Sequence, residues 1–219
     1  MYTPPIFEMS NSEQQESLIR QFPFATLTSI SRGRVETSHL PMLLSKDKLG
    51  DRRLIGHLAR NNPHAEALLG LDCLAVFQGP HAYISPQIYQ AKNVVPTWNY
   101  VAVHVRGHCV EVSDITSVLA HLESMVETFE AGKVEPWRLD EPDREFIKRL
   151  SQGIIAFEVH VKGIEGKAKL SQNQPLDRRS RIAEELEASS LEMDREVAHW
   201  MRGLMNEVTP PSTDGAAEG

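Results

Sequence analysis

The sequence has few cysteines and aromatic residues, and it has no long apolar run. Its 219 residues include two cysteines, Cys73 and Cys109, which both lie among apolar neighbours. Such surroundings are typical of buried thiols, so we predict neither a disulfide framework nor a cysteine metal site. No apolar stretch is long enough to cross a membrane, and no signal peptide is recognisable at the start. We therefore expect a cytoplasmic protein without membrane contact.

An excess of positive charge is also missing. Lys and Arg total 23 against 30 Asp and Glu, so the formal net charge is −7. Nucleic-acid-binding domains usually carry a concentration of positive charge, and the chain has no clear helix-turn-helix pattern. Composition and pattern together argue against direct DNA binding.

Several common catalytic and nucleotide-binding motifs are absent. The chain has no Gly-x-Gly-x-x-Gly, no Gly-Lys-Ser/Thr and no Gly-x-Ser-x-Gly. These absences argue against a dinucleotide fold, a phosphate loop of that type and a nucleophile elbow. His104 and His108 share strand spacing, but no cysteine or carboxylate stands near them in a ligand pattern. We therefore predict no metal site.

Hydrophobic periodicity divides the chain into strands and helices. Residues 24–31 and 35–45 favour strands and are joined by Arg32-Gly33, which predicts a hairpin. Pro41 predicts a bend or an edge position in the second strand. Ser12 followed by Gln15 is a capping-box pattern, which predicts a helix that starts at Ser12. Further strands are predicted at 53–59, 73–78, 100–112 and 154–162. Helices are predicted at 12–22, 63–69, 115–131 and 141–152, and one or two more within 177–207.

About six strands follow one another in hairpin-like succession, and helices stand between and after them. This order predicts an antiparallel barrel with peripheral helices, an α+β fold that is mainly β.

Residues 77–100, FQGPHAYISPQIYQAKNVVPTWNY, combine aromatic rings with neutral polar groups. Lys92 is the single charged residue among them. Stacking faces together with amide donors and acceptors favour a planar, hydrogen-bonding ligand. The alternative is a long loop whose aromatic residues anchor it and whose amides cap its turns.

Two features could bind an anion. Asn62 and Pro63 predict a helix start, and Arg60 lies beside its backbone N–H groups. The alternative there is an ordinary cap with a solvated arginine. A basic concentration near the C-terminus could contact a phosphate, or it could be a solvated surface that balances acidic helices. Its members are Lys162, Lys167, Lys169, Arg178, Arg179 and Arg181.

Seven stretches occur in an order that is typical of one known family. They are Met1-Tyr2-Thr3-Pro4, Thr37-Ser38-His39-Leu40-Pro41, Gly56-His57 with Asn61-Asn62-Pro63, Phe77-Gln78-Gly79-Pro80-His81-Ala82-Tyr83-Ile84-Ser85, Pro96-Thr97-Trp98-Asn99-Tyr100, His104-Val105-x-Gly107 and Lys169-Leu170-Ser171-Gln172-Asn173. Together they resemble the PaiB family of FMN-binding split-barrel proteins. The resemblance covers nearly all of residues 1–175.

The resemblance implies a six-stranded antiparallel split β-barrel with peripheral helices. It also implies a homodimer that holds FMN, a small planar ligand, at the dimer interface. The FMN-binding split-barrel domain would occupy residues 1–175, and a C-terminal helical extension would occupy residues 176–207. The polar residues 208–219 predict a disordered tail.

The resemblance further implies which residues bind FMN. A strand would lie along the isoalloxazine ring, a helix start would bind the phosphate, and a partner subunit would close over the cofactor. The implied residues are Thr37, Ser38, His39 and Leu40 at the ring; Gly56, His57, Arg60 and Asn61 at the phosphate; Gln78 on the next strand; Thr97, Trp98 and Asn99 from the partner; and Lys169, Ser171 and Gln172 at the far wall.

Three functions follow as hypotheses. The resemblance implies a negative regulator of transcription that acts through flavin or partner binding. The alternative is a flavin-dependent oxidoreductase on a small molecule, with His39, His81 or Tyr83 as a proton donor. A third hypothesis is a module for another planar ligand such as haem, with His104 or His108 as the axial ligand.

Overall fold

The computed structural model describes residues 1–208. The strands are β1 (Glu8–Met9), β2 (Phe24–Ser31), β3 (Arg34–Pro41), β4 (Leu43–Lys46), β5 (Arg52–Ala59), β6 (Asp72–Ile84), β7 (Thr97–Val112) and β8 (Ile154–Lys169). The helices are α1 (Ser12–Gln21), α2 (Pro63–Leu68), α3 (Ile115–Glu130), α4 (Arg144–Ser151), α5 (Leu176–Glu187) and α6 (Glu192–Val208). Short 3₁₀ helices occupy Pro5–Phe7 and Pro86–Tyr89. The predicted tail, residues 208–219, lies outside the described residues apart from Val208, which ends α6.

The eight strands form one mostly antiparallel sheet in the order β3-β2-β6-β7-β8-β5-β4, and β1 pairs with β8. The two ends of this path, β3 and β4, follow each other in sequence through Met42. The two ends of the sheet are therefore not joined by hydrogen bonds. A split barrel is open in the same way. The predicted fold class is confirmed.

The predicted strand count of six was wrong, because Met42 divides one predicted strand into β3 and β4 and the short β1 adds another. Pro41 has no N–H for the ladder, and the N–H of Met42 leaves it to bond the carbonyl of Pro23 at 2.9 Å. The chain then changes partner, since β3 pairs with β2 whereas β4 pairs with β5.

The β2–β3 hairpin follows from its turn residues. Arg32 and Gly33 have φ values of 51° and 77°, as a two-residue turn of type I′ requires. The turn sets a register in which Leu27 faces Ser38 and Ala25 faces Leu40. All four of these side chains are buried, so one face of the hairpin enters the core.

Strand β6 continues past Gln78, where the predicted strand ended. The buried positions are odd-numbered up to Gly79 and even-numbered from Pro80 onwards, so the alternation shifts by one residue there and then resumes. Beyond the shift, Ala82 and Ile84 are buried, whereas His81 is half-buried and Tyr83 is exposed. The loop predicted within residues 77–100 is therefore limited to residues 85–96, because β6 ends at Ile84 and β7 begins at Thr97. Strand β8 likewise runs to Lys169, seven residues past its predicted end at 162.

Side chains cap four of the helices. Asn11, not the predicted Ser12, caps α1, since its Oδ1 accepts hydrogen bonds from two backbone N–H groups. Asn62, Asp114 and Asp143 cap α2, α3 and α4 in the same way. The predicted C-terminal helical region consists of α5 and α6, which pack against each other.

The chain forms two compact units. Unit 1 contains Met1, Ser10–Gln78 and Ala102–Gly166, and unit 2 contains Tyr2–Met9, Gly79–Val101 and the chain from Lys167 onwards. Each has its own buried apolar side chains, and the predicted domain boundary at residue 175 stays a prediction. Within residues 1–208, every helix is too short or too polar to cross a bilayer.

Candidate functional site

Unit 2 contains an open cleft of about 440 Å³, which we call the Lys169 cleft. Its wall includes four residues from the set that the resemblance implies: Thr97, Asn99, Lys169 and Ser171. The remaining lining residues are Phe7, Tyr89, Asn93, Val94, Val95, Pro96, Asn173, Gln174 and Arg178.

Two neighbouring strands position the cationic part of this wall. Strand β7 begins at Thr97 and strand β8 ends at Lys169, and the two strands lie side by side in the sheet. Lys169 Nζ donates a hydrogen bond of 2.5 Å to Thr97 Oγ1. An ammonium group has three donors, so Lys169 keeps donors for a ligand beside this hydroxyl.

A buried polar pair supports the cleft from behind. Ser171 Oγ donates to Asn99 Oδ1 at 3.0 Å, and Asn99 Nδ2 lies 3.5 Å from the sulfur of Met201 on α6. Asn99 is 0% exposed and Ser171 is 3% exposed. Gln172 does not add a free group to the wall, because its amide bonds the backbone of Ala168 and Leu170. The buried Ser171–Asn99 pair therefore holds the wall in place and offers few contacts to a ligand.

Arg178 and Tyr89 line the same cleft and were not among the implied residues. The guanidinium carbon of Arg178 lies 5.5 Å from the centroid of the Tyr89 ring, and its Nη1 donates to Gln174 Oε1 at 2.7 Å. Burial raises the pKa of Tyr89, which keeps the phenol neutral at pH 7. Arg178 belongs to the basic concentration noted in the sequence, but no pattern there indicates that it lines a cleft together with Lys169.

A cluster of three aromatic side chains on β6 and β7, His81, Tyr83 and Trp98, also lies in unit 2. The Trp98 and Tyr83 rings meet edge to face at 5.8 Å, and the His81 ring lies 6.3 Å from Trp98. Tyr83 is 51% exposed and Trp98 is 53% exposed. Large aromatic side chains that share an exposed face are typical of a binding or subunit contact.

In unit 1, strand β3 carries four implied residues on alternating faces. Ser38 and Leu40 are buried, whereas Thr37 and His39 are exposed. The exposed pair bonds to β2: Thr37 Oγ1 lies 3.3 Å from Thr28 Oγ1, and His39 Nδ1 lies 3.1 Å from Thr26 Oγ1. The exposed face of β3 therefore offers hydroxyl and imidazole groups in a row.

The buried Ser38 belongs to a network centred on His64, which was also not among the implied residues. Ser38 Oγ lies 2.9 Å from His64 Nδ1, and Ser29 Oγ lies 3.0 Å from His64 Nε2. Asn62 Nδ2 donates to Ser38 Oγ at 3.1 Å. Burial lowers the pKa of His64, so the ring is neutral at pH 7. This network ties β3 to the start of α2.

The residues implied at the phosphate lie along β5 and the turn that follows it. A Cβ on Gly56 would meet Phe157 Cζ at 3.3 Å, so Gly56 faces the core. His57 is half-buried, its Nδ1 has no partner among residues 1–206, and burial lowers its pKa. Arg60 donates to the carbonyls of Gln152 and Ile154 at 2.7 and 2.8 Å. Asn61 is exposed.

The implied set is thus divided between the units. Nine residues, Gln78 with its exposed side chain among them, belong to unit 1, and six belong to unit 2. Lys169, Thr97, Asn99 and Ser171 share one cleft. Within unit 1, the β3 and β5 residues come together at Leu40 and Gly56, where a Cβ added to Gly56 would lie 3.5 Å from Leu40 Cδ1.

The remaining titratable groups do not assemble a metal centre in the described part of the chain, where no three His, Cys, Asp or Glu side chains converge. His108 instead pairs with Asp72 at 2.9 Å. Both cysteines are free and buried, and burial raises the pKa of Cys73 to about 12, so that thiol stays protonated.

Comparison with known proteins assigns the family. The profile described as "Putative FMN-binding domain" matches residues 1–163. "Protease synthase and sporulation protein PAI 2" of Bacillus subtilis is 33% identical over 175 residues, which cover 80% of this chain and 83% of that protein. The "Uncharacterized protein AN0679" of Emericella nidulans is 27% identical and covers 78% of this chain and 84% of its own length.

Solved structures share the fold at low sequence identity. The FAD and heme binding protein from Mycobacterium smegmatis superposes with a TM-score of 0.59 at 14% identity, over 79% of this chain and 78% of that one. The flavocytochrome Anf3 from Azotobacter vinelandii gives 0.60 at 14% identity, over 80% and 75% of the two chains.

The fold and the matched family define an FMN-binding split-barrel protein. The chain belongs to the PaiB family, and FMN is the cofactor of the domain that it contains. The donor set fits this cofactor: the Lys169 cleft offers ammonium, guanidinium, hydroxyl and amide groups beside an aromatic ring, and no Asp or Glu is among its described lining residues.

Proposed function

We propose that the chain binds FMN through the Lys169 cleft, and that flavin binding serves a negative regulator of transcription. The observation that supports this best is the cleft itself, in which four residues implied by the family resemblance come together. When bound, FMN supplies reversible redox chemistry. In this proposal, Lys169 holds negative charge, and the Ser171–Asn99 pair keeps the wall rigid.

An indirect route of regulation fits the charge of the molecule. The net charge of −7 disfavours contact with a polyanion, so the regulator would act through its flavin or through a protein partner. The relative from Bacillus subtilis is named for protease synthesis and sporulation. We expect no gel shift with DNA at physiological salt.

We also propose a homodimer. The exposed group of His81, Tyr83 and Trp98 offers the kind of aromatic surface that a second subunit covers. Trp98 would then meet the flavin of the partner subunit.

A flavin-dependent oxidoreductase is the second candidate. His81 and Tyr83 flank Trp98 on two neighbouring strands, and both carry a proton that a reacting group could use. Anaerobic mixing of the FMN-loaded protein with NADPH or NADH separates the candidates. Bleaching of the flavin band would support the oxidoreductase hypothesis, whereas an unchanged band would favour the regulator hypothesis.

The decisive experiment is an absorption spectrum of the purified protein, before and after addition of FMN and desalting. We expect a retained two-band flavin spectrum in the wild type and a weaker one in Lys169→Gln. Lys92→Gln, which removes an exposed charge from the same unit, should behave as the wild type. A colourless protein that retains no added FMN would overturn the proposal.

The regulatory part has its own test. In cells that lack the native protein, wild-type chain should lower transcripts of its target genes, and Lys169→Gln should restore them. Equal transcript levels with both variants would separate repression from flavin binding and contradict this part of the proposal.

A further inference from the structure

The basic concentration near the C-terminus includes three cations held in structural contacts and two cations that line the Lys169 cleft. Lys162 pairs with Asp72 at 2.7 Å, and Arg181 pairs with Asp177 at 3.0 Å. Lys167 is buried, donates to the carbonyl of Tyr2 and lies 5.3 Å from the Tyr100 ring. The contacts of these three cations are structural.

Lys169 and Arg178 are different, because both line the Lys169 cleft and neither has an acidic partner among residues 1–206, whose side chains the structure describes. Lys169 bonds only the Thr97 hydroxyl, which is neutral. Arg178 bonds the neutral amide of Gln174, and its Nε is buried without a partner among those residues. A guanidinium has five N–H donors, so most of them are uncommitted.

The cleft therefore carries two positive charges that the described part of the protein does not neutralise. Arg179, which is next on α5 and is 8% exposed, does not line the cleft and has no acidic partner in residues 1–206. Helix α5 begins at Leu176 without a side-chain cap, and the positive end of its dipole adds to the same field. Lys169 and Arg178 are half-buried, and cations that are partly removed from water are costly unless a counter-charge is bound.

The shape of the cleft restricts what that counter-charge belongs to. Tyr89 and the segment Val94–Pro96 provide apolar surface, while Asn93 and Asn173 provide amide donors and acceptors. This combination suits a small molecule with an anionic end and a flatter, less polar body. A hydrated metal cation would be repelled.

We propose that Arg178, together with Lys169, binds the anionic group of a small molecule, a phosphate or a carboxylate. The inference rests on the proposed function, since the anion is either the phosphate of FMN or the anionic group of a second molecule that meets the flavin. The shared chemistry is an oxyanion held by an arginine fork and a lysine ammonium.

Calorimetric titration tests the proposal with three probes: inorganic phosphate, FMN and riboflavin, which lacks the phosphate. The variants are Arg178→Gln and, as the matched control on the same helix, Arg181→Gln, whose partner is Asp177. Phosphate should bind the wild type and the control, and Arg178→Gln should weaken it about tenfold or more, as the loss of charge-assisted bonds predicts.

The two sources of the anion give different patterns. If it is the phosphate of FMN, Arg178→Gln weakens FMN but not riboflavin, and inorganic phosphate competes with FMN. If it belongs to a second molecule, the variant leaves both flavins unchanged, and phosphate binds to the FMN-loaded protein. Either pattern supports the site.

Two further results would distinguish failure of the proposed function from failure of the inference about Arg178. If the wild type binds neither flavin, the proposed function fails, and the phosphate titration alone still decides the inference. If phosphate and FMN affinities are the same in Arg178→Gln and Arg181→Gln, the inference is overturned while flavin binding stands. Arg178→Lys keeps the charge and replaces the glutamine variant if that variant does not fold; it should weaken phosphate binding less than Lys169→Gln does.

Discussion

Ser171 donates its hydroxyl hydrogen to Asn99 Oδ1 at 3.0 Å, from a backbone with a φ of 63°. A left-handed conformation is uncommon for serine, and it persists where the surroundings determine it. Here the surroundings are a fully buried asparagine on β7 and the end of β8 two residues earlier. The pair therefore sets the path by which the chain leaves the sheet beside the Lys169 cleft.

Asn99→Ala should lower the free energy of unfolding by about 1–3 kcal/mol, because it leaves the buried Ser171 hydroxyl without its acceptor. Urea denaturation followed by circular dichroism measures the change. Asn173→Ala, at an exposed position of the same segment, is the control and should cost little. Equal stability of the two variants would show that the bond contributes nothing.

Gly107→Ala should destabilise unit 1 by about 3 kcal/mol or more, since a Cβ there would collide with the carbonyl of His160 and with Val159. Gly163→Ala on β8 is the matched control, because nothing lies within 4 Å of its added Cβ. Thermal melting of both variants checks the difference. A melting temperature of Gly107→Ala close to that of Gly163→Ala would contradict the predicted collision.

The periodic elements could be predicted from sequence because their patterns are local. The Arg32-Gly33 turn, the Asn62 cap and the period of α3 each depend on neighbouring residues. Strand β6 was predicted too short because Gly79 and Pro80 usually interrupt strands, and only the continued burial of Ala82 and Ile84 reveals that the strand goes on. Tertiary pairing here overrides local preference.

The site was harder to predict, because its contacts join distant segments. Lys169 and Thr97 stood in family motifs, so the resemblance indicated both. Arg178 meets Tyr89 across 89 positions of sequence, and no local pattern distinguishes it from the neighbouring arginines. His64 follows a helix cap, where a histidine is usually exposed, yet two hydroxyl groups from β2 and β3 surround it.

His64 predicts a pH dependence of stability. Burial lowers its folded pKa below the usual value of 6.5, so the unfolded chain binds a proton more readily than the folded one. Stability should therefore be full above pH 6.5 and fall as the pH drops from about 6.5 towards the folded pKa. His57, His104 and His121 have pKa values lowered by burial as well and contribute in the same direction.

Unfolding free energies at pH 7 and pH 5 measure the effect, and His64→Gln should reduce the difference between them. The variant is also less stable at pH 7, since glutamine cannot replace both ring contacts. His160→Gln, at an exposed position, is the control. If His64→Gln and the wild type lose the same stability between the two pH values, His64 does not contribute.

Trp98→Ala should weaken the proposed homodimer. The indole is 53% exposed in the single chain, and a buried interfacial tryptophan commonly contributes about 2 kcal/mol or more, roughly thirtyfold in affinity. Light scattering should give twice the 24.6 kDa chain mass for the wild type, and a mass approaching 24.6 kDa for the variant at low concentration. Trp137→Ala, which removes a 41% exposed tryptophan in unit 1, is the control and should stay dimeric. A monomeric wild type in the presence of FMN would contradict the dimer itself, whereas dimeric Trp98→Ala would locate its interface away from the aromatic group on β6 and β7.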